Sequence, residues 1–402
     1  MNSSIALRLI LCLASSLLVT ASLGQPLEGL HAWMQKQVDE GSVVGCSAQV
    51  TKGGETIFLE AFGDRTPESD DDLTIDQIVR IYSMSKAIVS AATMQLVEEG
   101  KVGIDDPVSM YIPEFAEMSV GIGDDARPAR RQITIRDLLT HTSGLGYDFS
   151  VPSEFKPAYK QVFVSGGDLE TAAASMGLLP LFSDPGSGFV YGVSIDVLGR
   201  VIEVVSGQSL GEYLQAHIFA PLQMMDTSFT PPDDLAHMHI VTGSPGTLQV
   251  DVDHYNAKQV RSLKPRFQSG GGGLWSTLHD YTRFMQAMER HGELDGARIL
   301  KAKTVVFMTQ NQLSPAFKSG QRFGLGFGLE PGVATSQGLR GEGRWAWGGA
   351  ASTYFFIDPS QDLTAIYVTQ KFPFDAVSNA DFHKVVLEAV AVEPLTQGDA
   401  SH

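Results

Sequence analysis

Cysteine is scarce in this chain: two among 402 residues, Cys12 and Cys46. A disulfide framework is therefore excluded as the source of stability. Positive charge is the next shortage. Lys and Arg number 29 against 46 Asp and Glu, a net charge of −17, and no basic stripe offsets it. Such a surface repels phosphates, which excludes an unassisted nucleic-acid binder. A membrane-length apolar run is missing too: Leu9 to Ala21 falls short of the roughly 20 residues a spanning helix needs. Internal repeats and low-complexity segments are also lacking. What is present, 43% hydrophobic and 19% charged residues, is a globular composition. The length suits two or three structural units or one large enzyme body.

The first 24 residues read as a secretory signal peptide. One cation at Arg8 precedes the apolar run, and small residues at Ala21, Ser22 and Gly24 lead into Gln25-Pro26. Export to the periplasm or medium follows, with no membrane anchor left after cleavage. Cys46, in the apolar stretch Val43-Val44-Gly45-Cys46, then remains as a single buried small hydrophobe.

Along the rest of the chain, Leu27, Leu30, Met34 and Val38 mark a helix over 26–40. Cys46 to Thr51 and Glu55 to Phe62 form a hairpin about Gly53-Gly54. Near the other end, 323–331 and 351–370 read as strands, the latter turning at Asp358 to Asp362, before a helix at about 381–393. Between them lies a long, mostly helical stretch. The expected fold class is α+β: an antiparallel sheet formed by both termini with flanking helices, plus an inserted helical part. Its sheet portion is placed at about 25–82 and 300–395, its helical portion at about 84–300, and residues 396–402 form a disordered tail.

The chemistry narrows to serine. His237-x-His239 lacks a third ligand at zinc-like spacing, and Ser269 to Gly273 lacks the Lys-Ser/Thr of a phosphate loop. Ser209, in Gly207-Gln208-Ser209-Leu210-Gly211, fits the G-x-S-x-G nucleophile elbow. The same residues also describe a joint between helices: Gly207 as a C-cap, and Ser209-x-x-Glu212 as a capping box opening Leu210 to Phe219. Ser83, in Ser83-Met84-Ser85-Lys86, opens a buried helix running to Glu98. A lysine three residues on shares its face, and apolar surroundings disfavour the ammonium so that the amine can take the serine's proton. Alone, S-x-x-K is a weak signal.

It is accompanied by other motifs. Tyr191-Gly192-Val193-Ser194 and Trp347-Gly348-Gly349 follow in order, with Asp105-Asp106-Pro107-Val108, Leu138 to Leu145 and Gly271 to Thr277 between and around them. With these the chain resembles the serine β-lactamase and penicillin-binding-protein superfamily, on its class C-like branch and nearest to the family VIII carboxylesterases, over residues 28 to 390. The resemblance implies a nucleophile at Ser83, proton transfer by Lys86 and Tyr191, and an oxyanion hole from the backbone N–H groups of Ser83 and Ala350. It implies substrate contacts at Trp347, Gly348, Gly349 and Val193, and neither cofactor nor metal. His141 reads as structural, in the turn before Gly144.

Two departures bear on substrate. Where β-lactamases of this branch have Y-x-N and K-T-G, this chain has Val193 and Trp347-Gly348-Gly349, losing an amide, a hydroxyl and a cation. A substrate carboxylate left unpaired beside tryptophan costs several kcal/mol, so small neutral esters are the expected substrates. Arg344 is near enough in sequence to replace the cation, which keeps β-lactams open. A D-stereospecific peptidase, an acyltransferase, and a non-catalytic binding protein on the same fold are the other readings. Oligomeric state is not encoded in any pattern found.

Overall fold

The computed structural model describes residues 27–68, 70–162, 167–230, 240–250, 267–315, 317, 321–330 and 343–392. The expected signal peptide, His237-x-His239 and the tail at 396–402 lie outside the described residues.

The main sheet has six strands: β1 (Gly45–Lys52), β2 (Glu55–Gly63), β3 (Gly328–Leu329), β4 (Trp345–Gly348), β5 (Tyr354–Asp358) and β6 (Leu363–Val368). Their order is β3-β4-β5-β6-β1-β2, antiparallel throughout. The two ends of the chain therefore meet at β1 and β6, with Ser47 opposite Val368. Strand alternation explains why almost every residue of these two strands is buried. Cys46, Ala48, Val50, Ala365 and Tyr367 face a cluster with the helices α1 (Glu28–Asp39) and, at the other end of the chain, Ala376–Val392. Ile366 and Val368 face the larger core on the other side, as do Phe355 and Ile357 of β5. In β4 the same period sends Ala346 to the first face and Trp345 and Trp347 to the second.

That second face carries the inserted region. Its helices are α2 (Ser85–Glu98), α3 (Ile135–Leu139), α4 (Lys156–Val162), α5 (Leu169–Met176), α6 (Ser194–Ser206), α7 (Leu210–Leu214), α8 (Leu278–Glu289) and α9 (Ala302–Met308); Ala376–Val392 is α10. Every residue of α2 from Ser85 to Leu96 is buried, as expected of a helix apolar on all sides. The region is less helical than its composition suggested. The connection around 100–134 carries single 3-10 turns and one two-residue strand pair instead, and that around 140–155 only turns and bends. Gly, Pro and Asp there favour turns that no helical period records. Of the described residues of the segment 323–331, only two form β3, and α10 begins at Ala376, five residues earlier than its apolar spacing indicated.

The loop before α6 is fastened by charge. Asp184 accepts from Arg127 Nη1 and Nη2 at 3.0 and 2.7 Å and from the Arg130 N–H at 3.0 Å. Arg127 holds the Asp184 carboxyl down at about 2. A carboxylate depressed in the folded state stabilises at pH above its unfolded value near 4 and loses that contribution as pH falls to about 2. Asp184→Asn should melt below the wild type at neutral pH. The gap should close between about pH 4 and 2, as followed by thermal denaturation at stepped pH.

Candidate active site

Ser83 lies on a 3-10 turn, Tyr82–Met84, that runs directly into α2. The residue before it, Tyr82, has φ 46°, a left-handed backbone uncommon for a bulky side chain. The turn is held by the segment after residue 269. The Ile81 N–H donates to the Leu274 carbonyl at 3.0 Å and the Leu274 N–H to Ser85 Oγ at 3.2 Å. The Tyr281 hydroxyl donates to the Met84 carbonyl at 3.0 Å.

Lys86, one turn on, is 1% exposed. Its ammonium donates to Ser83 Oγ at 3.1 Å, to the Tyr147 hydroxyl at 3.1 Å and to the Gly271 carbonyl at 2.5 Å. Those are the three donors an ammonium has. Each charge-assisted bond contributes about 1.5–3 kcal/mol, and together they offset a burial penalty of several kcal/mol. When the amine is neutral, the Gly271 and Tyr147 acceptors retain its two N–H groups. The lone pair then faces Ser83, which is the geometry a base needs.

Tyr191 supplies a ring rather than a hydrogen bond to the lysine: Lys86 Nζ stands 4.8 Å from its centroid. The tyrosine hydrogen-bonded to the lysine is Tyr147, absent from the sequence-derived set. It sits just past the stretch ending at Leu145, and neither helical nor strand spacing marks it. Ser150 joins the two tyrosines, accepting from the Tyr147 N–H at 2.7 Å and donating to the Tyr191 carbonyl at 2.6 Å. His141 completes this packing. Its ring lies 4.8 Å from that of Tyr191, and its Nδ1 accepts the Gly192 N–H at 3.4 Å. Full burial, then the Lys86 charge, push the imidazole well below its ordinary range, so it stays neutral and able to accept.

A pocket of about 890 Å³ opens at Ser83, lined by Tyr191, Trp347, Gly348, Gly349 and Ala350, and further out by Phe149 and Phe374. Gly349 is what brings β4 against the serine turn. A Cβ there would stand 2.2 Å from Thr353 Oγ1 and 2.6 Å from the Ile81 carbonyl oxygen. Ala350 and Ser83 thus border one space.

Two expectations are corrected. Val193, the N-cap of α6, is wholly buried and is not among the residues lining this pocket. Arg344 is no replacement cation: its Nε donates to Glu330 at 3.0 Å, and its Nη1 lies 3.9 Å from Asp358. Among the described residues, the charged ones lining the pocket are Arg322 and Glu330. Ser209 is the helix joint. Gly207 is left-handed at φ 72°, Ser209 Oγ accepts from the Glu212 N–H, and Glu212 accepts from the Ser209 N–H. The helix it opens is α-helical to Leu214 and continues in π form to Phe219.

The sequence pattern of the Beta-lactamase family matches residues 30–388. The chain belongs to that family. It is 34% identical over 366 residues to Protein Rv1367c of Mycobacterium tuberculosis, covering 86% of this chain and 90% of that one. It is 30% identical over 382 residues to the lovastatin esterase of Penicillium rubens, covering 86% and 94%. The unliganded simvastatin synthase LovD of Aspergillus terreus superposes with a TM-score of 0.76 at 25% identity, covering 93% and 100%. The fold is the β-lactamase-like one, and the protein is an enzyme of the serine-hydrolase type found among these relatives.

Replacing Tyr147 by phenylalanine removes one of the lysine's two fixed acceptors while keeping the ring. Tyr147→Phe should lower kcat by about 10- to 100-fold with little change in KM, as measured by steady-state ester hydrolysis.

Proposed function

We propose that the protein is an exported carboxylesterase acting on neutral esters through an acyl-enzyme at Ser83. The observation that carries this is the pocket itself. Ser83 opens into a largely apolar space walled by Trp347 and two glycines; the charged residues lining it, Arg322 and Glu330, are of opposite sign, and Arg344, on β4's approach, is engaged by Glu330 and Asp358. A substrate carboxylate has little to gain beside Trp347, whereas an uncharged ester leaves no charge uncompensated.

Ser83 Oγ attacks the ester carbonyl while its proton passes to the neutral amine of Lys86. The tetrahedral oxyanion is received between the Ser83 and Ala350 N–H groups. As the C–O bond breaks, the proton returns to the departing alkoxide, with Tyr191 on the pocket side as its relay. Water then repeats the sequence on the acyl-enzyme, releasing the acid and restoring Ser83. The pocket's volume is near the upper end for small-molecule sites and exceeds what an acetyl ester fills. It leaves room for a bulkier acyl or alcohol part and favours, as a second reading, an alcohol in place of water as acceptor.

Hydrolysis of p-nitrophenyl acetate, p-nitrophenyl butyrate and nitrocefin tests the reading. Ser83→Ala should lose at least about a thousandfold in ester turnover, and Ser209→Ala should stay near wild type. Nitrocefin turned over faster than the esters would instead make the protein a β-lactamase. Absence of both turnover and Ser83 labelling by a fluorophosphonate would leave a binding protein.

A further inference from the structure

One buried acid has no part in the scheme above. Asp196, the third residue of α6, is fully buried and lies behind the glycine segment that receives Lys86. Its Oδ1 accepts from the Ser269 hydroxyl at 2.5 Å and from the Gly271 N–H at 3.0 Å. Gly271 in turn offers its carbonyl to Lys86 at 2.5 Å. Asp196 Oδ2 has no hydrogen-bond partner among the described residues. It borders the same small space as the Tyr147 hydroxyl: a Cβ on Gly271 would lie 2.4 Å from the one and 2.8 Å from the other. An acid placed this way is not needed to cap α6, which begins at Ser194 with no side-chain cap.

The geometry points to Asp196 as the positioning residue for Lys86: it grips Gly271, whose carbonyl fixes the amine, and it carries the negative charge that balances the ammonium. Lys86 is the charged side chain facing it, and His141, Tyr147 and Tyr191 are the titratable groups around that lysine. The other charged groups on the helices packed against α6 are engaged elsewhere. Glu98 at the far end of α2 pairs with Lys301, Arg136 and Asp137 of α3 with Asp105 and Arg131, Glu170 of α5 with Arg200, and Glu212 caps α7. Burial pushes the Asp196 carboxyl above its ordinary range, opposed by Lys86, Ser269 and Gly271. The Lys86 charge thus works against burial to keep the acid ionised.

This inference rests on the Ser83 reading, and its test separates the two. The pH dependence of kcat/KM for p-nitrophenyl butyrate, and of the rate of fluorophosphonate labelling at Ser83, is measured for wild type, Asp196→Asn and Ser269→Ala. The asparagine preserves the volume and one acceptor oxygen but removes the charge, which makes the Lys86 ammonium less favoured. Asp196→Asn should lose about 10- to 100-fold in plateau kcat with KM within about twofold, and its acidic limb should move to lower pH by about one unit. Ser269→Ala, which removes a donor that favours the ionised carboxylate, should move the limb the same way by less. It carries the test if Asp196→Asn does not fold. A folded variant with the wild-type acidic limb overturns the proposal whatever its rate, because a merely structural defect leaves that limb in place. Wild type that neither turns over ester nor labels at Ser83 overturns the esterase reading and this inference with it.

Discussion

The architecture of the site follows from burying one ammonium group. Lys86 sits in a helix whose other residues from Ser85 to Leu96 are buried and mostly apolar or small, so nothing on that helix beyond Ser83's turn can satisfy it. The acceptors arrive from three places far apart in sequence: Ser83 before the helix, Tyr147 after α3, and Gly271 before α8. Losing any one leaves a charged donor unmatched at low dielectric, which costs more than a surface hydrogen bond contributes. The lysine thereby ties the loops of the inserted region to the strand-and-turn that carries the nucleophile. The 81–85 and 274–281 hydrogen bonds make that tie rigid.

The opposite wall is set by strand geometry. A period of two sends Trp345 and Trp347 to the face that meets the inserted region, and the register against β5 places Trp347 opposite Phe355. Trp347 then packs 5.4 Å from Tyr191 and 5.1 Å from Phe323, so it is both wall and core. Where the branch's β-lactamases present a lysine, this strand presents an aromatic surface, and the nearby Gly349 lets it close on the Ile81–Ser83 turn. The preference for uncharged substrates proposed above follows from this packing as much as from the missing charge.

The sheet, its two terminal contributions and the Ser209 joint were legible in the sequence. Each rests on a local rule that needs no tertiary information: alternation in Cys46 to Thr51 and Leu363 to Val368, and a left-handed glycine followed by a capping box. The placement of Ser83, Tyr191 and Trp347 around one pocket, with Lys86 behind the serine, was legible from ordered motifs, because those motifs encode a topology. Tyr147 and Asp196 were not. Their partners are a lysine 61 positions away and a glycine 75 positions away, reached through loops without periodicity. Val193 misled for the opposite reason: its place in the tyrosine motif of the resembled family suggested a substrate contact, but the chain turns into α6 there and buries it.

The arrangement also divides the work of the two tyrosines. Tyr147 and the Gly271 carbonyl occupy two of the lysine's directions, so the third, toward Ser83, is the one along which a proton can leave the serine and return. A departing alcohol lies in the pocket, however, while Lys86 is sealed behind the turn at 1% exposure. A group bordering both is required to deliver the proton outward, and Tyr191 meets that condition: it lines the pocket and its ring is the lysine's neighbour. In the proposed mechanism Tyr147, stacked on Phe149 and bonded to the amine, orients the base, and Tyr191 connects it to the substrate.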